Sequence, residues 1–138
     1  MLIDDSPDDL ALMRFAFKRA GVRNPVIEMH SGIQAMDYLS GEREYADRER
    51  YPLPCLIITD LKMPGVDGFE FLEWLHRRHE FAPVPKLVLT SSSIDTDQKR
   101  ARELGACAYF VKPSQLNDLV KTVAEMDANW ISEHCPLT

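Results

Sequence analysis

The segment Cys55-Leu56-Ile57-Ile58-Thr59 is apolar almost throughout and runs straight into Asp60. A short, uninterrupted apolar run of this kind reads as a strand covered on both faces, whereas a strand with one wet face would alternate. Strands buried on both sides belong to parallel sheets packed between two layers of helices. The same type of run recurs at Lys86-Leu87-Val88-Leu89, ending at Thr90, and Ala108-Tyr109-Phe110-Val111 reads as a further strand, ending at Lys112-Pro113. Two weaker strands are Leu2-Ile3 and Pro25 to Met29. Leu2-Ile3 is a stub, and for so short a strand residues lost before Met1 are expected.

Helical spacing fills the intervals. Ser6-Pro7-Asp8-Asp9 opens a helix with a capping serine, a first-turn proline and acids at its positive end. Leu10, Met13 and Phe17 keep helical periodicity up to Ala20, and Gly21 stops it. Further helices are expected over Ser31 to Leu39, Phe69 to Arg78, Asp95 to Leu104 and Ser114 to Trp130. Glu42 to Pro54 is charged, lacks a clear period and reads as a long surface loop. Five strands alternating with five helices predict right-handed crossovers and one parallel sheet. The 138 residues, 45% of them hydrophobic, suit a single domain over 1–138, with no output domain.

A net charge of −6 disfavours general nucleic-acid or anionic-membrane binding. No apolar stretch approaches the ~20 residues of a membrane span, and Met-Leu-Ile-Asp-Asp lacks the features of a signal peptide. The three cysteines, Cys55, Cys107 and Cys135, have no metal-like spacing. Two of them lie in apolar surroundings that read as core, and reduced thiols in the cytoplasm are expected. His30, His76, His79 and His134 show no ligand spacing and read as surface residues. Phe110, Trp130 and Ile131 are candidates for an exposed dimerisation patch, and equally Phe110 reads as strand core and Trp130 as the cover of the last helix's end.

The polar residues are informative through their positions. Asp4 and Asp5 follow the first strand, Asp60 the third, Thr90 ends the fourth, and Lys112 follows the fifth. In an open parallel sheet these carboxyl ends share one edge, where ligand sites form. Crowded carboxylates repel unless a cation intervenes, and Mg2+, or another divalent ion such as Mn2+, suits such oxygen donors. A carboxylate can attack phosphorus and form an aspartyl phosphate. Lys112 offers a mobile charge for phosphate oxygens, and the Thr90 hydroxyl offers a further hydrogen bond.

These segments resemble the response-regulator receiver domains over essentially the whole chain. The carriers are Ile3-Asp4-Asp5, Thr59 to Gly68 with its Asp60-Leu61-Lys62-Met63-Pro64, Leu87 to Thr90, and Tyr109 to Pro113. The resemblance implies a flavodoxin-like, doubly wound sheet of order 2-1-3-4-5, an arrangement for which a member of this family is a standard example. It implies that Asp60 is the phosphoacceptor, served by a sensor histidine kinase. Asp5 would bind the metal directly, Asp4 through water, Asp60 as a ligand, and Lys62 through its backbone carbonyl. Thr90 and Tyr109 would be the switch residues and Lys112 the phosphate-sensing lysine, followed by a cis bond to Pro113. Phosphorylation would change the surface of the fourth helix, fifth strand and fifth helix for a downstream protein. The long loop before the third strand and the tail from Ala124 to Ile131 resemble single-domain, often dimeric regulators of bacterial phytochrome histidine kinases.

In the family, residue 62 and Ser92, two after Thr90, tune phosphoryl lifetime. Lys62 is thus expected to contact the acyl phosphate or a nearby carboxylate. A hydrolase of the haloacid dehalogenase type also uses an aspartyl phosphate, but it usually carries a second acid where this chain has Lys62. A degenerate scaffold that takes no phosphate is disfavoured by the full set of strand-end residues.

Overall fold

The structure is a computed structural model that describes residues 1–137. Its elements follow the chain as β1 (Leu2–Ile3), α1 (Pro7–Arg19), β2 (Glu28–Met29), α2 (Gly32–Ser40), β3 (Ile57–Thr59), α3 (Gly68–His76), β4 (Lys86–Thr90), α4 (Asp95–Glu103), β5 (Ala108–Val111) and α5 (Leu116–Met126). All strand pairs are parallel, in the order β2-β1-β3-β4-β5. The doubly wound sheet and its five helices are those expected from the alternation.

Alternate side chains of each strand enter opposite layers. Leu2, Ile58, Leu87 and Leu89 pack with Leu10, Met13 and Phe17 of α1 and Leu119, Val123 and Met126 of α5. Ile3 and Ile57 face the other way, against Ala35, Tyr38 and Leu39 of α2 and Phe71 and Leu75 of α3. Val88 joins Phe69, Leu72 and Ala101 beneath α4. The unbroken apolar runs therefore supply both layers at once.

The helix starts are built locally. Ser6 accepts from the Asp9 N–H at 3.2 Å, with Pro7 in the first turn. Ser31 accepts from the Gln34 N–H, while the Gln34 side chain accepts from the His30 N–H, a reciprocal cap. Asp67 caps α3 through the Glu70 N–H.

Several local expectations are corrected. The paired part of the second strand is only Glu28–Met29. The last helix ends at Met126, widens into a π-turn over Asp127–Ile131 and closes with the turn Ser132–His134. Ile131 is consequently buried in the core, not part of an exposed patch, while Trp130 meets Phe110 edge-on at 5.9 Å. The Glu42 to Pro54 segment is an organised loop. It holds a 3₁₀ turn, Arg43–Ala46, and Arg48 donates to the carbonyls of Tyr38, Leu39 and Tyr51.

The thiol expectation is also overturned. Cys55 and Cys135 form a disulfide across 80 residues of sequence, with Cα atoms 5.6 Å apart. Burying Ile131 brings the tail back beside the start of β3, and Asn24 holds the Cys135 carbonyl at 2.7 Å. Cys107 is free and exposed, so of the three cysteines only Cys135 is buried. The four histidines are exposed.

Candidate phosphoacceptor and metal site

The site stands at the carboxyl edge of the sheet, where the chain leaves β1, β3, β4 and β5. The Asp60 N–H donates to the Ile3 carbonyl at 3.0 Å, so the Asp60 carboxylate is anchored to the sheet by its own backbone. One carboxylate oxygen, Oδ1, accepts from the Leu61 N–H at 2.7 Å and from the Lys62 N–H at 3.4 Å. The other, Oδ2, accepts from Lys112 Nζ at 2.9 Å.

The turn after Asp60 closes tightly because residue 68 is glycine. A Cβ there would lie 2.2 Å from the Asp60 carbonyl oxygen and 2.6 Å from Leu61 Cα, well inside contact distance. Without it, the Gly68 N–H donates to the Leu61 carbonyl at 3.0 Å and α3 begins against the Asp60 turn.

Lys112 is the hub. Its ammonium also donates to Asp4 Oδ2 at 2.7 Å and Asp9 Oδ2 at 2.8 Å. Burial would push this ammonium down, but the hydrogen bonds it donates to Asp4, Asp60 and Asp9 outweigh that and hold Lys112 above the ordinary lysine range. Burial pushes the Asp4 carboxyl up, against the hydrogen bonds from Lys112 and the Ser6 N–H. Asp9 was read in sequence only as a favourable charge at a helix start. The signal available was its place in the first turn after the Asp4-Asp5 pair, which returns its side chain over the same edge.

Asp4, Asp5 and Asp60 each present an oxygen within 4.8 Å of the others. Asp4 and Asp60 are buried and Asp5 is exposed. An all-carboxylate donor set, open on one side, fits a hard divalent cation that retains water. Asp4, Asp5, Asp60 and Lys112 are thus brought together as expected from their strand ends.

The remaining residues form a second group. Thr90 is fully buried at the end of β4, and its carbonyl receives the Lys112 N–H at 2.7 Å. Tyr109 donates its hydroxyl to the Ser92 carbonyl at 2.8 Å, and burial pushes that phenol up. The Lys62 ammonium reaches Asp97 of α4 at 3.6 Å. The Lys112–Pro113 bond is trans, as are all peptide bonds among the described residues, which corrects the cis bond expected from the resemblance. An X–Pro bond favours trans by only ~0.5–1 kcal/mol, so its isomer is decided by the surroundings. Here Lys112 is held at both ends, by the Thr90 carbonyl and by three carboxylates.

Comparison with known proteins agrees with this geometry. Residues 1–124 match the family model described as the response regulator receiver domain. The probable methanogenesis regulatory protein FilR2 of Methanothrix harundinacea is 33% identical over 95% of this chain and 82% of its own length. Response regulator Rcp1 of Synechocystis is 31% identical over 95% of this chain and 87% of its own. A structure of the Mn2+-bound form of response regulator Rcp1 superposes with a TM-score of 0.83 at 30% identity, covering 99% of this chain and 94% of that one. The phosphorylated cyanobacterial phytochrome response regulator RcpA gives a TM-score of 0.87 at 30% identity, over 96% and 92% of the two chains.

Proposed function

This chain belongs to the response regulator receiver family, and from that premise we propose that Asp60 accepts a phosphoryl group from a histidine of a sensor kinase. In the transfer an Asp60 oxygen bonds to phosphorus, the P–N bond of phosphohistidine breaks, and the imidazole nitrogen leaves with a proton. The observation that carries the reading is the convergence on Asp60 of one lysine ammonium at 2.9 Å and two further carboxylates within 4.8 Å. Phosphoryl transfer chiefly needs positioning and charge neutralisation, and this edge supplies both.

Asp5, Asp60 and the Lys62 backbone carbonyl would hold Mg2+, or Mn2+ in its place, with Asp4 acting through water. Such an ion would screen the acidic edge from the incoming phosphate. Lys112 exchanges its carboxylate partners for phosphoryl oxygens, and the Thr90 hydroxyl donates to another of them. Tyr109 then leaves the Ser92 carbonyl, and the face of α4, β5 and α5 changes for a downstream protein or a second copy of the chain. Phosphate favours that state only through these contacts, so the switch is a population shift. The similarity to the phytochrome response regulator RcpA supports a phytochrome-type kinase as the donor, working in the cytoplasm where kinases find ATP.

The test is mass spectrometry after treatment with acetyl phosphate and Mg2+. The expected result is one added phosphoryl group that Asp60→Asn abolishes. An unmodified wild type, or a modification indifferent to Asp60→Asn, defeats the reading.

A further inference from the structure

The two positions flanking the mouth of the acceptor site, Lys62 and Ser92, meet on a single atom. Asp97 Oδ2 accepts from Ser92 Oγ at 2.6 Å and pairs with Lys62 Nζ at 3.6 Å. Asp97 lies in the first turn of α4, where its charge also suits the positive helix end. Ser92 is buried, and its carbonyl is the acceptor for the Tyr109 hydroxyl at 2.8 Å. One carboxylate therefore connects the turn after β3, the loop after β4 and the aromatic side chain of β5.

We propose that Asp97 is a positioning residue of the phosphoacceptor site, which holds the Lys62 ammonium on the α4 side and thereby sets the lifetime of the phosphorylated state. The proposal rests on Asp60 being the acceptor. Lys62 has an exposed side chain, and its backbone N–H already donates to the Asp60 carboxylate at 3.4 Å. Released from Asp97, the ammonium is free to fold onto the phosphoryl oxygens. There it occupies the side from which water attacks. Asp97, by keeping Lys62 away, shortens the phosphoryl lifetime.

The experiment loads the protein with acetyl phosphate and Mg2+, removes the donor and follows loss of phosphoryl mass. Asp97→Asn keeps the shape and an acceptor for Ser92 but removes the charge that holds Lys62. It is expected to lengthen the half-life about threefold, which corresponds to about 0.65 kcal/mol and lies within the range of an exposed ion pair. In a Lys62→Ala background the same substitution is expected to change the half-life less than about 1.5-fold, because its effect runs through Lys62. Asp97→Glu is expected to restore the wild-type half-life. A half-life unchanged by Asp97→Asn, or an effect of equal size with and without Lys62, overturns the proposal while leaving Asp60 as acceptor. A wild type that takes no phosphoryl group overturns both.

Discussion

Lys112 Nζ lies 2.9 Å from Asp60 Oδ2, joining two residues separated by 52 positions in sequence, and the same nitrogen neutralises Asp4 and Asp9. The acidic edge is thus built around one internal cation. Removing it leaves two buried carboxylates without a counter-charge. Lys112→Ala is expected to destabilise the fold by about 2–4 kcal/mol at neutral pH, near the low side of broken buried pairs because the edge is open to solvent. Urea denaturation checks this. The Lys112 ammonium is held above its ordinary range. Its contribution is therefore complete below the unfolded lysine pKa and is lost only as pH rises through the higher folded value.

A divalent cation that binds only the folded edge stabilises it by mass action. At about 100 times its dissociation constant, Mg2+ or Mn2+ is expected to add roughly 2.7 kcal/mol, read as a rise in melting temperature. Asp5→Asn is expected to weaken that rise. Asp5 is exposed and unburdened by core packing, so its loss tests binding without confounding stability. A rise of the same size in Asp5→Asn would exclude it as a ligand.

Asp4 reverses the usual pH behaviour of a carboxylate. Burial raises its folded pKa, so the folded state binds the proton more tightly than the unfolded one. Stability from this group is present when it is protonated and falls as pH rises from the unfolded value of about 3.9 through the folded one. Asp4→Asn is expected to be more stable than wild type at pH 7, with the advantage vanishing at low pH. Paired denaturation curves across pH 3–7, an interval spanning the carboxylate range, measure the crossover.

Gly68→Ala tests the close approach beneath Asp60. The added Cβ would meet backbone, not a side chain able to turn away. A loss of about 1–3 kcal/mol is expected, together with slower phosphorylation, because the turn carrying Asp60 must shift. Activity lost with stability unchanged would point away from this steric cause.

The Cys55–Cys135 bridge predicts one titratable thiol, Cys107, in the unreduced denatured protein and three after reduction. Cys135→Ser is expected to cost about 2–4 kcal/mol, since the bridge closes a long loop. Three thiols before any reduction would show that the pair is not joined in the isolated protein.

The strand runs were legible because burial on both faces leaves a local mark, and helix starts at Ser6 and Ser31 were legible because caps are made within four residues. Asp4, Asp5, Asp60 and Lys112 were legible as strand-end residues once the parallel sheet was recognised. Asp9 and Asp97 were not, because an acid in a helix's first turn is sufficiently explained by the helix itself. The short β2 and the π-turn after Met126 were missed because edge pairing and tail packing override local pattern.

The amino-acid sequence by itself determined the alternation of strands and helices, the covering of the sheet by two helical layers, and the chemistry available at the strand ends. These follow from uninterrupted apolar runs and a helical period of 3.6 residues, which any short window contains. Tertiary structure alone decided that Lys112 serves Asp9 as well as Asp60, that Asp97 joins Lys62 to Ser92, that Cys135 reaches Cys55, and that Pro113 follows a trans bond. Each of these depends on which strands are neighbours and how loops return over the sheet, and no interval along the chain encodes that.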